Sequence, residues 1–411
     1  MKSLWKWAML TIVAISAVSF VGSQAQQAGW QDPVVVASAG FAANNLVHNP
    51  DLAFDVSTGT LYVVYSDTRG DADIQLRSSK DGVNWTDPVN VSNTPGISIQ
   101  PSVAARNGKV CVAWNEIVAD TGLYAVYVAC STDGGQTFGA AQDVSNAPND
   151  DAGKAEFFDS VADGSLGIAI DDQGVVHVAW TFYVEPKYSL STDGKQFTEP
   201  ITLPYQPSAA IGFPTFGVAP NGDLYLAWAD RSGRSGDIFV IRSPAGANRT
   251  DPASWQGPFN ATFNSGFSDG PWIAFQGGKI FIVNDDDTNN PSFADINLTV
   301  SSDNGQTWTG TRSIAKDGAF PSIAADSGTN LYVAFEAKGG TLGFVCSTDG
   351  GENWKRDDVN TRLVGEKRFQ GVRNVDQRGI VTDTSGNVYV TYLTRPQANV
   401  SNIIVQKRVG C

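Results

Sequence analysis

Residues 322–354 read SIAADSGTNLYVAFEAKGGTLGFVCSTDGGENW. Two short runs of β-branched, aromatic and small residues flank a turn at Gly328, and a third run ends in a polar Ser-Thr-Asp-Gly-Gly turn followed by Trp354. Short β-rich runs punctuated by glycine turns are the signature of hairpins. The hairpin part occurs seven times: LAFDVSTGTLYVVY (52–65), SVAARNGKVCVAW (102–114), LGIAIDDQGVVHVAW (166–180), TFGVAPNGDLYLAW (215–228), WIAFQGGKIFIVN (272–284), SIAADSGTNLYVAF (322–335) and GIVTDTSGNVYVTY (379–392). Gly59, Gly108, Gly174, Gly222, Gly278, Gly328 and Gly386 occupy the turns, where tight hairpins demand a positive φ.

The polar turn recurs as SKDGVNW (79–85), STDGGQTF (131–138), STDGKQF (191–197), SSDNGQTW (301–308) and STDGGENW (347–354), with a degraded copy from Ser243 to Trp255 that has Ala245 where the Asp should be. These copies resemble the Asp box, or BNR repeat, of the sialidase-like β-propellers. Each is a stapled turn: the Asp accepts backbone N–H bonds, the Gly takes the left-handed conformation, and the Trp or Phe packs beneath. The copies start at 79, 131, 191, 243, 301 and 347, so the intervals are 52, 60, 52, 58 and 46 residues, one four-stranded blade each. Seven hairpins against six box positions are reconciled at the chain ends. The N-terminal strand WQDPVVVAS (30–38) looks like the strand that elsewhere follows a box, and SNIIVQKRV (401–409) is the last strand. The expected fold is therefore all-β, a seven-bladed β-propeller with Asp-box turns, its ring closed by the N-terminal strand joining the last blade.

Composition agrees. Charged residues are only 17%, and 42 Gly, 19 Pro and 21 Phe make a chain rich in turns and aromatics. With 28 basic against 42 acidic residues the net charge is −14, and losing Lys2 and Lys6 with a leader takes it to −16. Nucleic acid and anionic membrane both require a positive face, which excludes them as partners. Residues 1–25 read as a signal peptide: Lys2 and Lys6, an apolar stretch from Ala8 to Val21, then Ser23-Gln24-Ala25. The expectation is a secreted or periplasmic protein in which 26–411 form one propeller domain, monomeric and without a membrane span. Export permits disulfides. Cys111 and Cys130 sit at mirror positions of one hairpin and would bridge it, and Cys346 and Cys411 would form a second pair.

In such a ring the hairpin turns and box turns share one face, so function belongs on the other, where the central funnel opens. The resemblance implies the same, since sialidase-like enzymes keep their active site away from the Asp boxes. Loop 361–378 brings Arg362, Lys367, Arg368, Arg373 and Arg378; Arg395 lies in blade seven and Arg69 in blade one. On an acidic chain, such a cluster suits a carboxylate or sulfate, which a guanidinium holds with a planar fork of donors. The opposing reading is arginines solvated or paired locally with Glu366 and Asp376. Arg69, His48, Arg368, Arg373, Arg378 and Arg395 are the substrate-binding candidates. Asp67, Glu116 and Tyr183 are the catalytic candidates, because glycosidases need paired acidic groups or a tyrosine nucleophile activated by a carboxylate. Asp67 and Asp230 could instead cap their own turns. Tyr205 is a further ligand-contact candidate. His177 fills the hairpin column of Tyr62, Cys111, Tyr225, Phe281, Tyr332 and Tyr389 and reads as structural. No cofactor is expected. Asp285-Asp286-Asp287 could hold a structural calcium but lacks the alternating ligand spacing, and reads as a solvated acidic turn.

The resemblance implies a carbohydrate-active protein, a glycoside hydrolase of exo-acting sialidase-like type recognising an acidic sugar. The chain has no Arg-Ile-Pro tripeptide, the sialidase motif for the first of three arginines, and seven blades where sialidases have six. A non-catalytic propeller that binds glycan or protein is the alternative, and a uronate polysaccharide lyase, with Arg neutralising the carboxylate while His48 or a Tyr takes the adjacent proton, is a further one.

Overall fold

The computed structural model describes residues 28–40, 50–67, 72–122, 124–146, 166–182, 185–205, 211–230, 236–363, 379–397 and 400–411. The signal-peptide reading of residues 1–25 lies outside them. Seven antiparallel sheets follow one another along the chain, and the described residues contain a single 3-10 turn, Pro252–Ser254, and no longer helix. Each blade opens with its innermost strand: Asp51–Asp55, Ile97–Arg106, Leu166–Ile170, Ile211–Val218, Ser268–Gln276, Gly318–Ala325 and Ile380–Thr382. The chain then runs outward strand by strand, so consecutive strands pair and connections stay short.

Packing between blades follows from strand alternation. Tyr65, Trp114, Trp180, Trp228, Phe335 and Tyr392, one per second strand, are all buried. Each enters an apolar cluster with the preceding blade: Trp180 with Val126 and Val128, Phe335 with Ile296 and Leu298, Tyr65 with Ile403 and Val405. The rings thus act as wedges that bury large apolar area between twisted sheets.

The polar turns are stapled as their sequence requires. Asp81 accepts from the amides of Val83 at 2.8 Å and Asn84 at 2.7 Å, while Ser79 Oγ accepts from Gly82 N at 2.9 Å. Trp85, Trp308 and Trp354 each donate Nε1–H to the glycine carbonyl of their own turn. Hydrogen bonds hold these carboxyls below the usual range, Asp193 and Asp303 at about 2. In the degraded copy, the missing carboxylate is replaced from the adjacent hairpin: Asp223 accepts from Ala245 N at 2.7 Å and from Arg242 Nε at 2.8 Å. One expectation fails at the hairpin turns. Six of the seven glycines have positive φ, but Gly328 does not; its amide and that of Asn330 donate to Asp326.

The N-terminal segment is the outer strand of the seventh sheet. Val34–Gly40 pairs with Val400–Val409 in the register Val34↔Val405, and Trp30 lies opposite Arg408. Beyond the ladder, Trp30 Nε1 donates to the Asp357 carbonyl at 3.0 Å and Arg408 binds Asp357 Oδ2, which ties both chain ends to blade six. The Cys346–Cys411 disulfide fastens the same place, and Cys111–Cys130 bridges directly opposed residues in blade two.

Candidate functional site

On the face away from the stapled turns, innermost strands begin and second strands end. The inner strands of blades two, four, five and six are each interrupted by a register shift at a proline, at Pro101, Pro214, Pro271 and Pro321. The residue before the proline is left-handed at Gln100 (φ +53°), Gly270 (φ +55°) and Phe320 (φ +53°). A proline disfavours helical conformations for its predecessor, and a positive φ costs a non-glycine residue further, so this rim stores strain. Sequence reading passed over it, although the x-Pro that opens four hairpins was the available signal.

Buried carboxylates ring the same face. Asp51 accepts from Ser102 Oγ and Val103 N, each at 3.0 Å, clamping blade two to blade one. Glu116, only 2% exposed, accepts from Ser98 Oγ at 2.6 Å and Trp114 Nε1 at 2.9 Å. Asp285 accepts from Phe320 N at 3.2 Å, and Asp286 from Asn264 Nδ2 and Ser268 Oγ, each at 2.7 Å. The acidic run is therefore not a solvated turn: Asp285 and Asp286 end a buried strand, and their donors come from the innermost strands of blades five and six and from Asn264. Among the described residues, no group of three or more His, Cys, Asp or Glu is arranged to hold a metal ion.

Of the catalytic candidates, Asp67 and Glu116 lie at second-strand ends of neighbouring blades on this face, Asp67 half-buried opposite Asp73. Tyr183, His48, Arg69, Arg368, Arg373 and Arg378 lie outside the described residues. Arg395 belongs to the strand Asn387–Gln397, and its side chain is outside the described set.

One pair has the chemistry of a reacting couple. Tyr205, at the start of the loop from blade three to blade four, donates its hydroxyl proton to Asp230 Oδ2 at the end of blade four's second strand. The phenol ring packs edge-on against Trp228 at 4.7 Å and tilted against Phe239 at 6.2 Å, which fixes the hydroxyl's direction. Burial, then the bond to Asp230, pushes the phenol well above its ordinary pKa, so it is neutral until its proton moves.

The opposite face holds a cleft of about 510 Å³ between blades three and four, lined by Asp171, His177, Asn221, Asn248 and Arg249. His177 is fully buried beneath it, bonded to Tyr188 Oη at 2.7 Å and to Asp171 Oδ2 at 3.2 Å, and Arg249 closes over both with a bond to the Gly222 carbonyl. Burial lowers the imidazole pKa and favours its neutral form.

No family model and no curated protein matches this chain. Among solved structures, a protein of unknown function from Dyadobacter fermentans aligns with a TM-score of 0.52 at 12% identity, over 92% of this chain and 99% of its own. A polysaccharide lyase of a new family, an ulvan lyase, has the same score and identity over 92% of this chain and 93% of its own. A sialidase of Streptococcus pneumoniae reaches 0.48 at 12% identity, over 92% and 70%. The likeness is one of fold alone: the chain shares the β-propeller architecture of these structures.

Proposed function

We propose that this chain is a secreted, carbohydrate-active propeller, a glycoside hydrolase that recognises a carboxylate-bearing sugar on its funnel face. The observation that carries the reading is the Tyr205–Asp230 couple. A neutral phenol bonded to a carboxylate can deliver its oxygen to an anomeric carbon while the proton passes to Asp230, and so needs no phenolate at rest. Asp67 is the group proposed to protonate the leaving oxygen, and water then releases the sugar. Tyr183 is the alternative nucleophile in this reading. Arg69, Arg368, Arg373, Arg378 and Arg395, with His48, are proposed to hold the carboxylate. Glu116, buried and bonded to two donors, supports the rim.

A second reading draws on the polysaccharide lyase of like fold. In β-elimination from a uronate, the same phenol would pass its proton to Asp230 and take the one beside the carboxylate; the C–O bond to the leaving sugar breaks, its oxygen takes a proton back, and an arginine would neutralise the sugar's charge.

The test is a purified chain offered a fluorogenic sialoside and a panel of uronate polymers. Release of a reducing end without new ultraviolet absorbance supports hydrolysis; an absorbing unsaturated product supports elimination. Turnover and binding that are both unchanged by Arg373→Ala and Arg378→Ala would end the carboxylate reading.

A further inference from the structure

Two blades end their outermost strand with the same staple, and blade two keeps part of it. In blade one, Asn90 Oδ1 accepts from Asn93 N at 3.0 Å, Asn90 Nδ2 and Ser92 Oγ both donate to Asp73 at 2.8 Å, and Ile74 N donates back to Ser92 Oγ. Blade four repeats this atom for atom: Asn260 Oδ1 accepts from Phe263 N at 3.2 Å, Asn260 Nδ2 and Thr262 Oγ1 donate to Asp237 at 2.8 Å, and Ile238 N donates to Thr262 Oγ1. In blade two, Ser145 Oγ accepts from Val126 N. The staple's last residue is left-handed each time: Asn93 at φ +45°, Asn146 at +48°, Phe263 at +45°. Asparagine suits that conformation and phenylalanine does not.

Phe263 is thus anomalous twice, holding an unfavourable backbone and a ring that is 74% exposed. Nothing in the local fold requires the ring, since blades one and two build the turn with Asn. The staple locks its backbone, which fixes the position the ring projects from and lowers the ordering cost of any contact it makes.

The surroundings select the ligand class. The other large hydrophobics exposed among the described residues are Val35, on an outer strand of blade seven, and Val56 and Val83, at turns of the opposite face. A lone ring is far too small for a protein interface, which needs a contiguous, largely apolar centre. Exposed Ser265, Thr288 and Asn289 lie on its own loop and on the neighbouring loop that meets it at Gly266. A sugar fits both features, with a C–H face that stacks on an aromatic ring and hydroxyls that bond to amides and hydroxyls.

We infer that Phe263 is an outlying stacking subsite for a sugar within an extended, chain-like glycan. Phe263 follows the outermost strand of blade four, and its loop leads to the innermost strand of blade five at Ser268. Three inter-strand spacings separate those positions radially, about 14 Å. An oligomer covers that span and a single sugar does not. The inference rests on the carbohydrate reading above and extends it from a terminal sugar to a polymer.

The experiment compares wild type with Phe263→Asn, which restores the residue that the staple carries in blades one and two. Binding of a uronate disaccharide and of longer uronate oligomers is measured by calorimetry, with melting temperature and solution mass alongside. The expected result is tighter wild-type binding with oligomer length, a loss of about 3- to 10-fold in oligomer affinity in the variant, unchanged disaccharide binding, and a melting temperature equal or higher. Oligomer affinity equal in both proteins would overturn the subsite and leave the carbohydrate reading standing. A variant that alters only the solution mass would make the ring a self-association contact and also overturn it. Wild type that binds no glycan of any length would overturn both.

Discussion

The Tyr205 hydroxyl and the Asp230 carboxylate, 25 residues apart in sequence, share one proton-donating contact on the funnel face. Trp228 and Phe239 hold the phenol ring in place, so the contact is fixed by packing as well as by polarity. Asp230→Asn preserves an acceptor oxygen for the phenol but cannot take up its proton. The expectation is a fall in turnover on the order of 100-fold, with substrate affinity within a few-fold of wild type, measured as separate kcat and KM values. A loss confined to KM would assign Asp230 to binding instead.

Glu116 is expected to be a supporting carboxylate. Removing it in Glu116→Ala leaves the buried Ser98 hydroxyl and Trp114 indole without their acceptor, which costs about 2 kcal/mol or more. Denaturant unfolding should report this loss. An unchanged midpoint together with abolished turnover would return Glu116 to the catalytic machinery.

The chain ends are expected to be the weak seam of the ring. Cys346–Cys411 closes 65 residues and Cys111–Cys130 only 19, and a longer loop loses more unfolded-state entropy when it is cross-linked. The Cys346→Ser, Cys411→Ser pair of changes should therefore lower stability by about 2–4 kcal/mol, and by more than the corresponding change in blade two. Calorimetric melting of both variants checks the order, and equal losses would contradict it.

Acid should loosen the stapled turns. Hydrogen bonds hold Asp193 and Asp303 at about 2 in the folded chain, below their ordinary value near 3.8. A depressed carboxyl stabilises the fold above its unfolded pKa, and that contribution fades as pH falls from about 4 to about 2. The melting temperature of Asp303→Asn should be lower than wild type at neutral pH and should converge towards it in that window. Parallel curves would show that Asp303 contributes no pH-linked stability.

How far the sequence could be read depends on how local each determinant is. Hairpins, stapled turns and blade count recur at a period of 46 to 60 residues, and repetition makes them visible. Gly328 misled because it stands two residues after Asp326, whereas Gly174 and Gly386, which do have a positive φ, stand three after Asp171 and Asp383. Asp230 and the run from Asp285 to Asp287 looked local but bind residues distant in sequence, Tyr205, Phe320 and Ser268, and no window of adjacent residues contains those partners. Phe263 was detectable in principle: aligning NVSN (90–93) with NATF (260–263) shows the exchange, although its meaning needs the φ and the exposure.

The most direct test of the account is the turnover of Tyr205→Phe on whichever acidic glycan the wild-type chain cleaves, with binding of the same glycan measured in parallel. Removing one oxygen keeps the ring against Trp228 and Phe239. The account predicts intact binding and a melting temperature close to wild type, with turnover lost by on the order of 100-fold or more. Turnover equal to wild type would contradict it.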